Sequence, residues 1–127
     1  MTSNETTSDD KVLVGLTHAD DDPESVLIAL LMGVEAVRAD KQAVMWLTKD
    51  GVNVALDGFA SKIDVPGAPS VAELQAEYVE RGGRFYACPV CVKLRDLEGA
   101  TWVDGTTVAG APAVYEFTSG GALVFSY

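Results

Sequence analysis

Four short apolar runs, at residues 11–17 (KVLVGLT), 43–47 (AVMWL), 84–87 (RFYA) and 122–127 (ALVFSY), alternate along the chain with segments of helical spacing. Runs this short and this apolar suit strands covered on both faces. Parallel neighbours in such a sheet need a crossover, and a helix supplies it. The pattern predicts an α/β fold: a three-layer α/β/α sandwich around a mainly parallel sheet of about five strands, with helices on both faces.

The helical segments carry their own punctuation. Asp22 suits an N-cap, Pro23 the first helical position and Glu24 the positive end of the dipole, giving a helix from residue 23 to about 39. That helix is apolar almost all round, at Val26, Leu27, Ile28, Leu30, Leu31, Met32, Val34 and Val37. A surface helix would show a polar face, so cover on more than one side is expected. Ser70 caps a second helix, with Val71, Leu74, Tyr78 and Val79 at helical spacing and Arg81-Gly82-Gly83 as its stop. Pro89 opens a third, running to about Glu98 and closed by Gly99; Pro112 opens a helical turn through Phe117, stopped by Gly120-Gly121. Residues 48–51 read as a polar turn and 64–70 as a loop, while 52–56 is a short apolar segment of either type. In 101–108, Asp104-Gly105 is either a hairpin turn or part of a loop beside one strand.

At 127 residues the chain holds one core, read here as a single domain over 11–127 behind a disordered tail at 1–10 (MTSNETTSDD). The tail has neither the basic start nor the apolar run of a signal peptide. Nine Lys and Arg stand against nineteen Asp and Glu, a net charge of −10, which excludes nucleic acid and anionic membrane surfaces as partners. The longest apolar stretch, 26–34, falls far short of the ~20 residues that span a bilayer. A cytoplasmic protein is expected. Two cysteines there are thiols with chemistry rather than a structural disulfide.

In an open parallel sheet, sites form beyond the carboxyl ends of the strands. Three such ends lie on one edge here: Thr17-His18, Thr48-Lys49-Asp50, and Cys88. Cys88 stands at the N-cap of the helix that Pro89 begins, and Cys91 follows three positions later on the same face. Helix-terminal N–H groups, with Lys93 and Arg95 nearby, favour a thiolate. His18 reads either as a loop or capping residue or as a catalytic base. A closed zinc site would need Cys88, Cys91, His18 and a carboxylate from 20–22, so no metal and no cofactor is expected. The sequence contains no GxxxxGK[ST], GxGxxG or GxSxG. Thioredoxin-type CxxC motifs carry an aromatic before the first cysteine, where Ala87 stands here.

Three blocks together resemble the DsrE/DsrF-like family: Thr17-His18 with Asp22-Pro23, then residues 46–52 (WLTKDGV), then residues 87–95 (ACPVCVKLR). The resemblance runs over about 11–127. It implies a persulfide-carrying cysteine at Cys88, with Arg95 at the position of the family's Arg-Gly pair, Asp96 replacing that glycine, and Cys91 as an addition. It also implies a homo-oligomer, a trimer or hexamer, and a protein that donates or accepts sulfur.

The function expected is persulfide handling or sulfur relay. Cys88 as thiolate takes up a sulfane sulfur, Cys91 resolves the persulfide as a disulfide, Arg95 and Lys93 support the anion, and His18 shuttles a proton. Thr17, Thr48 and Lys49 line the binding edge. A non-catalytic oligomeric module, binding a small ligand or a partner, is the alternative; a peroxiredoxin-like thiol reductase is the third. Thiol reactivity divides the first two, because a binding module has no need of a depressed thiol pKa.

Overall fold

The computed structural model describes residues 10–127. The expected tail at 1–10 lies outside them except for Asp10, whose carbonyl accepts the Gln42 amide at 3.0 Å. The elements run β1 (Lys11–Leu16), α1 (Pro23–Arg38), β2 (Gln42–Leu47), a 3-10 segment (Lys49–Ala55), a second 3-10 turn (Ala60–Lys62), α2 (Val71–Glu80), β3 (Arg84–Ala87), α3 (Pro89–Leu94), β4 (Thr106–Val108), α4 (Ala111–Thr118) and β5 (Leu123–Ser126).

The sheet has five strands in the order β4-β3-β2-β1-β5, every neighbouring pair parallel. From β1 to β4 each crossover steps toward the same edge, and the last returns from β4 to the opposite edge. Right-handed crossovers therefore put α1, α2 and α3 on one face and α4 on the other. The packing agrees. Val26, Leu30 and Val34 of α1, Leu74 and Tyr78 of α2 and Val92 of α3 share one core with Val12, Val14, Met45 and Phe85. Phe117 of α4 is buried with Leu13 and Val44 on the other side.

The third layer is thin. On α4 only Phe117 is buried, and Tyr115 is 78% exposed, as Val124 of β5 is at 58%. Helix α1 has less surplus apolar surface than its sequence suggests. The sheet and α2 cover most of it, leaving Ile28 at 40% and Leu31 at 36% exposed. Its start is built as expected: the Asp22 carboxylate accepts from the Ser25 amide at 3.2 Å and the Ser25 hydroxyl at 2.8 Å.

Tyr78 fastens α2 to the rest. Its side chain is fully buried, its hydroxyl donates to the Arg84 carbonyl at 2.7 Å, and its ring meets Phe85 at 5.1 Å between centroids. The ring lies where Gly33 of α1 and Gly83 present no side chain; a Cβ would approach it to 2.9 Å at Gly33 and 2.5 Å at Gly83.

One expectation needs correction, and two readings left open by the sequence are resolved. Helix α3 ends at Leu94 rather than near Glu98, because Asp96 turns into the left-handed region at φ 53°. Residues 52–56 fall mostly in the 3-10 segment, with Leu56 bridging antiparallel to Trp102. Asp104-Gly105 makes no hairpin: Gly105, at φ 84°, turns the chain into β4, which runs parallel to β3. Among the described residues no helix is long and apolar enough to cross a membrane.

Candidate functional site

Adjacent parallel strands β1, β2 and β3 bring Thr17, Thr48 and Cys88 to the same edge of the sheet. Their hydrogen bonding carries the ladder one residue past the strands: Thr48 N–H donates to the Leu16 carbonyl at 3.1 Å and Cys88 N–H to the Leu47 carbonyl at 3.0 Å. Thr17 donates to the Tyr127 carbonyl through its amide at 3.1 Å and its hydroxyl at 3.2 Å. The edge is thus held in register before any side-chain chemistry is considered.

After β2 the chain turns sharply. Lys49 adopts φ 53°, a left-handed conformation uncommon outside glycine, and the 3-10 segment that follows tucks Gly51 beneath the end of β1. This strain has a visible product. The Lys49 amide points at α3 and donates to the Cys91 sulfur at 3.0 Å. Next to it, Asp50 Oδ1 accepts from Arg95 Nε at 3.0 Å and Nη2 at 2.9 Å, while Arg95 Nη1 reaches the Cys91 carbonyl at 3.3 Å. The loop after β2 and the CxxC helix are therefore braced twice.

Both cysteines are free thiols and half-buried. Cys88 is the N-cap of α3, with its carbonyl accepting the Val92 amide at 2.9 Å and its side chain making no capping bond. Burial pushes the Cys91 thiol up from its ordinary value. The Lys49 amide opposes this, a side-chain hydrogen bond with Cys88 and its charge reinforce it, and the Arg95 charge opposes it weakly. The expectation had α3 donating its own amides to Cys88. The donor that the structure supplies comes instead from Lys49, and it serves Cys91.

The remaining expected residues separate into those the site uses and those it does not. Arg95 is at the site but already paired with the half-exposed Asp50. Lys93 lies exposed in the last turn of α3. His18 Nδ1 contacts Asp21 Oδ2 at 2.7 Å; this bond raises the imidazole pKa and lowers that of the Asp21 carboxyl. His18 is thus engaged with its own loop rather than with either thiol. Lys49 reaches Cys91 through its backbone amide, the Thr48 amide is taken by the Leu16 carbonyl, and the Thr17 hydroxyl is spent on Tyr127.

The sequence sets Asp50 on the shared edge but does not show its part there, as the partner of Arg95. It stood in a polar turn, and nothing in its neighbourhood along the chain marks it as the partner of Arg95. Asp96, which the resemblance sets at the place of a glycine, takes a left-handed conformation that glycine would adopt more cheaply. The helix end is thereby preserved: Leu97 N–H donates to the Val92 carbonyl at 3.0 Å. Among the described residues no three His, Cys, Asp or Glu side chains gather to hold a metal ion.

Comparison with known proteins bears on the fold and on the family. The crystal structure of the YchN protein from E. coli superposes with a TM-score of 0.75 at 16% identity, covering 92% of this chain and 98% of that one. A conserved protein of unknown function from Bacteroides thetaiotaomicron, BT1422, matches with a TM-score of 0.59 at 17% identity, over 98% of this chain and 100% of that one. At these identities the likeness speaks for the fold. In sequence, the uncharacterized protein MJ0760 of Methanocaldococcus jannaschii is 22% identical over 110 residues, 87% of this chain and 40% of that protein, so the chain spans two-fifths of that relative's length. A family model described as the DsrE/DsrF-like family matches residues 10–127. Nearly the whole chain is matched, and it belongs to the DsrE/DsrF-like family, a family generally related to sulfur relay.

Proposed function

We propose that the protein accepts a sulfane sulfur on Cys88, holds it as a persulfide and passes it on. One observation carries this reading: two free, half-buried thiols stand one helical turn apart at the carboxyl edge of a parallel sheet, with a backbone donor and a guanidinium against the same turn. In the step proposed, the Cys88 thiolate attacks the outer sulfur of a donor R–S–S–H. A sulfur–sulfur bond forms on Cys88, the donor's bond breaks, and R–S⁻ leaves. Arg95, its charge partly offset by Asp50, and the exposed Lys93 support the anion. His18, whose pKa its bond to Asp21 raises, serves as proton carrier of the edge once released from that partner, and Thr17, Thr48 and Lys49 frame the edge.

In the same reading the protein works as a homo-oligomer, a trimer or hexamer, in a reducing compartment such as the cytoplasm. The exposed Tyr115 and Val124 on the thin face and Ile28 and Leu31 on α1 support self-association. Light scattering tests this; a monomer at micromolar concentration overturns it. A non-catalytic binding module is the second reading, favoured by one fact: Arg95 is already paired with Asp50 rather than waiting for an anion.

The deciding experiment is intact-mass analysis after exposure to inorganic polysulfide, using Cys91→Ser and Cys88→Ser chains. Cys91→Ser is expected to gain the mass of sulfur on Cys88, and Cys88→Ser to gain none. Failure of Cys88 to take up sulfur overturns the persulfide reading and leaves the binding module.

A further inference from the structure

The second thiol is placed for a definite task. Cys88 caps α3 and Cys91 stands one turn further on, so the two side chains share a face of the helix. The Cys91 sulfur is held in position by the Lys49 amide at 3.0 Å, a donor fixed by the left-handed turn after β2. We infer that Cys91 discharges the Cys88 persulfide within the chain, so that the sulfur leaves as hydrogen sulfide and a Cys88–Cys91 disulfide remains. The protein is then a sulfane-sulfur reductase, and the reaction class that must restore it is disulfide reduction by an external dithiol. This inference rests on the persulfide reading and goes one step past it.

The step balances. The Cys91 sulfur attacks Cys88 Sγ, and the bond between Cys88 Sγ and the outer sulfur breaks. The electron pair leaves with the outer sulfur, which takes the Cys91 proton and departs as HS⁻. The two cysteine sulfurs together give up two electrons, and the sulfane sulfur gains two. A dithiol then reduces the disulfide through a mixed-disulfide intermediate and returns both thiols.

Cys91 is suited to this role rather than to that of first nucleophile. Burial and the neighbouring Cys88 keep it protonated, so it brings to the reaction the proton that the departing sulfide needs. The two thiols share one turn of α3, so the proton that Cys91 gives up is released beside the sulfur that bears the persulfide. The Lys49 N–H stabilises the negative charge that develops on Cys91 as the proton is given up.

The test is a single turnover without added reductant. Inorganic polysulfide freed of sulfide is mixed with wild type, Cys91→Ser and Cys88→Ser, and released sulfide and intact mass are read together. Wild type is expected to release one sulfide per chain and to end two hydrogen masses lighter. Cys91→Ser, whose hydroxyl still accepts from Lys49, is expected to retain sulfur on Cys88. Its sulfide release falls at least about tenfold, because an intramolecular partner has been lost. Cys91→Ala is expected to behave alike, which separates the missing sulfur from any local rearrangement. Wild type that keeps its persulfide and releases no more sulfide than Cys91→Ser overturns the inference while leaving Cys88 as carrier. A Cys88 that never takes up sulfur overturns both.

Discussion

Replacing Gly51 with alanine tests how closely the loop after β2 is seated beneath β1. A Cβ there would stand 2.2 Å from the Leu16 carbonyl oxygen and 2.9 Å from its carbon. Both are backbone atoms, and the oxygen already accepts the Thr48 amide, so neither can swing aside. Restoring ordinary contact requires the loop to retreat by about 1 Å. At an unconstrained position Gly→Ala would stabilise the fold by ~0.4–1 kcal/mol through the unfolded chain. Here overpacking against fixed backbone wins, and a net loss of about 1–3 kcal/mol is expected. The retreat also draws Lys49 away from Cys91 and removes a contact that favours its thiolate, so Cys91 alkylates more slowly as well. Urea unfolding followed by tryptophan fluorescence gives the first quantity, with the midpoint falling at unchanged slope. A Gly51→Ala chain as stable as wild type, with unaltered Cys91 reactivity, would refute the reasoning.

Three further outcomes follow from other contacts. In a Cys88→Ser background, Asp50→Asn removes the carboxylate that offsets Arg95, and Cys91 is expected to alkylate several-fold faster at neutral pH; an equal or slower rate counts against the pairing. Tyr78→Phe deletes the buried donor to the Arg84 carbonyl and is expected to cost about 1–3 kcal/mol in urea unfolding, a loss within error being the contrary result. Arg38, and then Arg81, hold the Glu77 carboxyl down at about 2, against an ordinary 4.5. A depressed carboxyl stabilises the fold above its unfolded value and loses that contribution as pH falls through the folded one. The stability difference between wild type and Glu77→Gln is therefore expected to shrink between about pH 4.5 and 2, and a difference constant over that window refutes the assignment.

What the sequence makes legible is whatever is written locally. Strand β3 matches residue for residue because Gly82-Gly83 and Pro89 bound it on either side. The start of α1 is legible for the same reason, in Asp22 and Pro23. The end of α3 is not, because an aspartate at φ 53° does there what a glycine would have announced. Lys49 hides its left-handed turn in the same way. Within the site, the shared edge is readable because Thr17, Thr48 and Cys88 each follow a strand directly, and Cys91 because it stands three positions further on. The contacts that organise the site join Lys49 to Cys91 and Asp50 to Arg95, across 42 and 45 positions. The pairing of Leu47 with Ala87 in the β2–β3 register sets them, and a slip of one residue would dissolve both.

The slot around Tyr78 ties three distant positions into one unit of inheritance. Any lineage that enlarges residue 33 or 83 drives a side chain into the ring, and one that keeps both glycines but shrinks the tyrosine opens a void between α1, α2 and β3. Either change alone forces a neighbour to shift or leaves a gap. As this fold diverges, the three positions are bound to drift as a set. A copy carrying a bulky residue at 33 beside an intact tyrosine would be one in which α1 and α2 have moved apart.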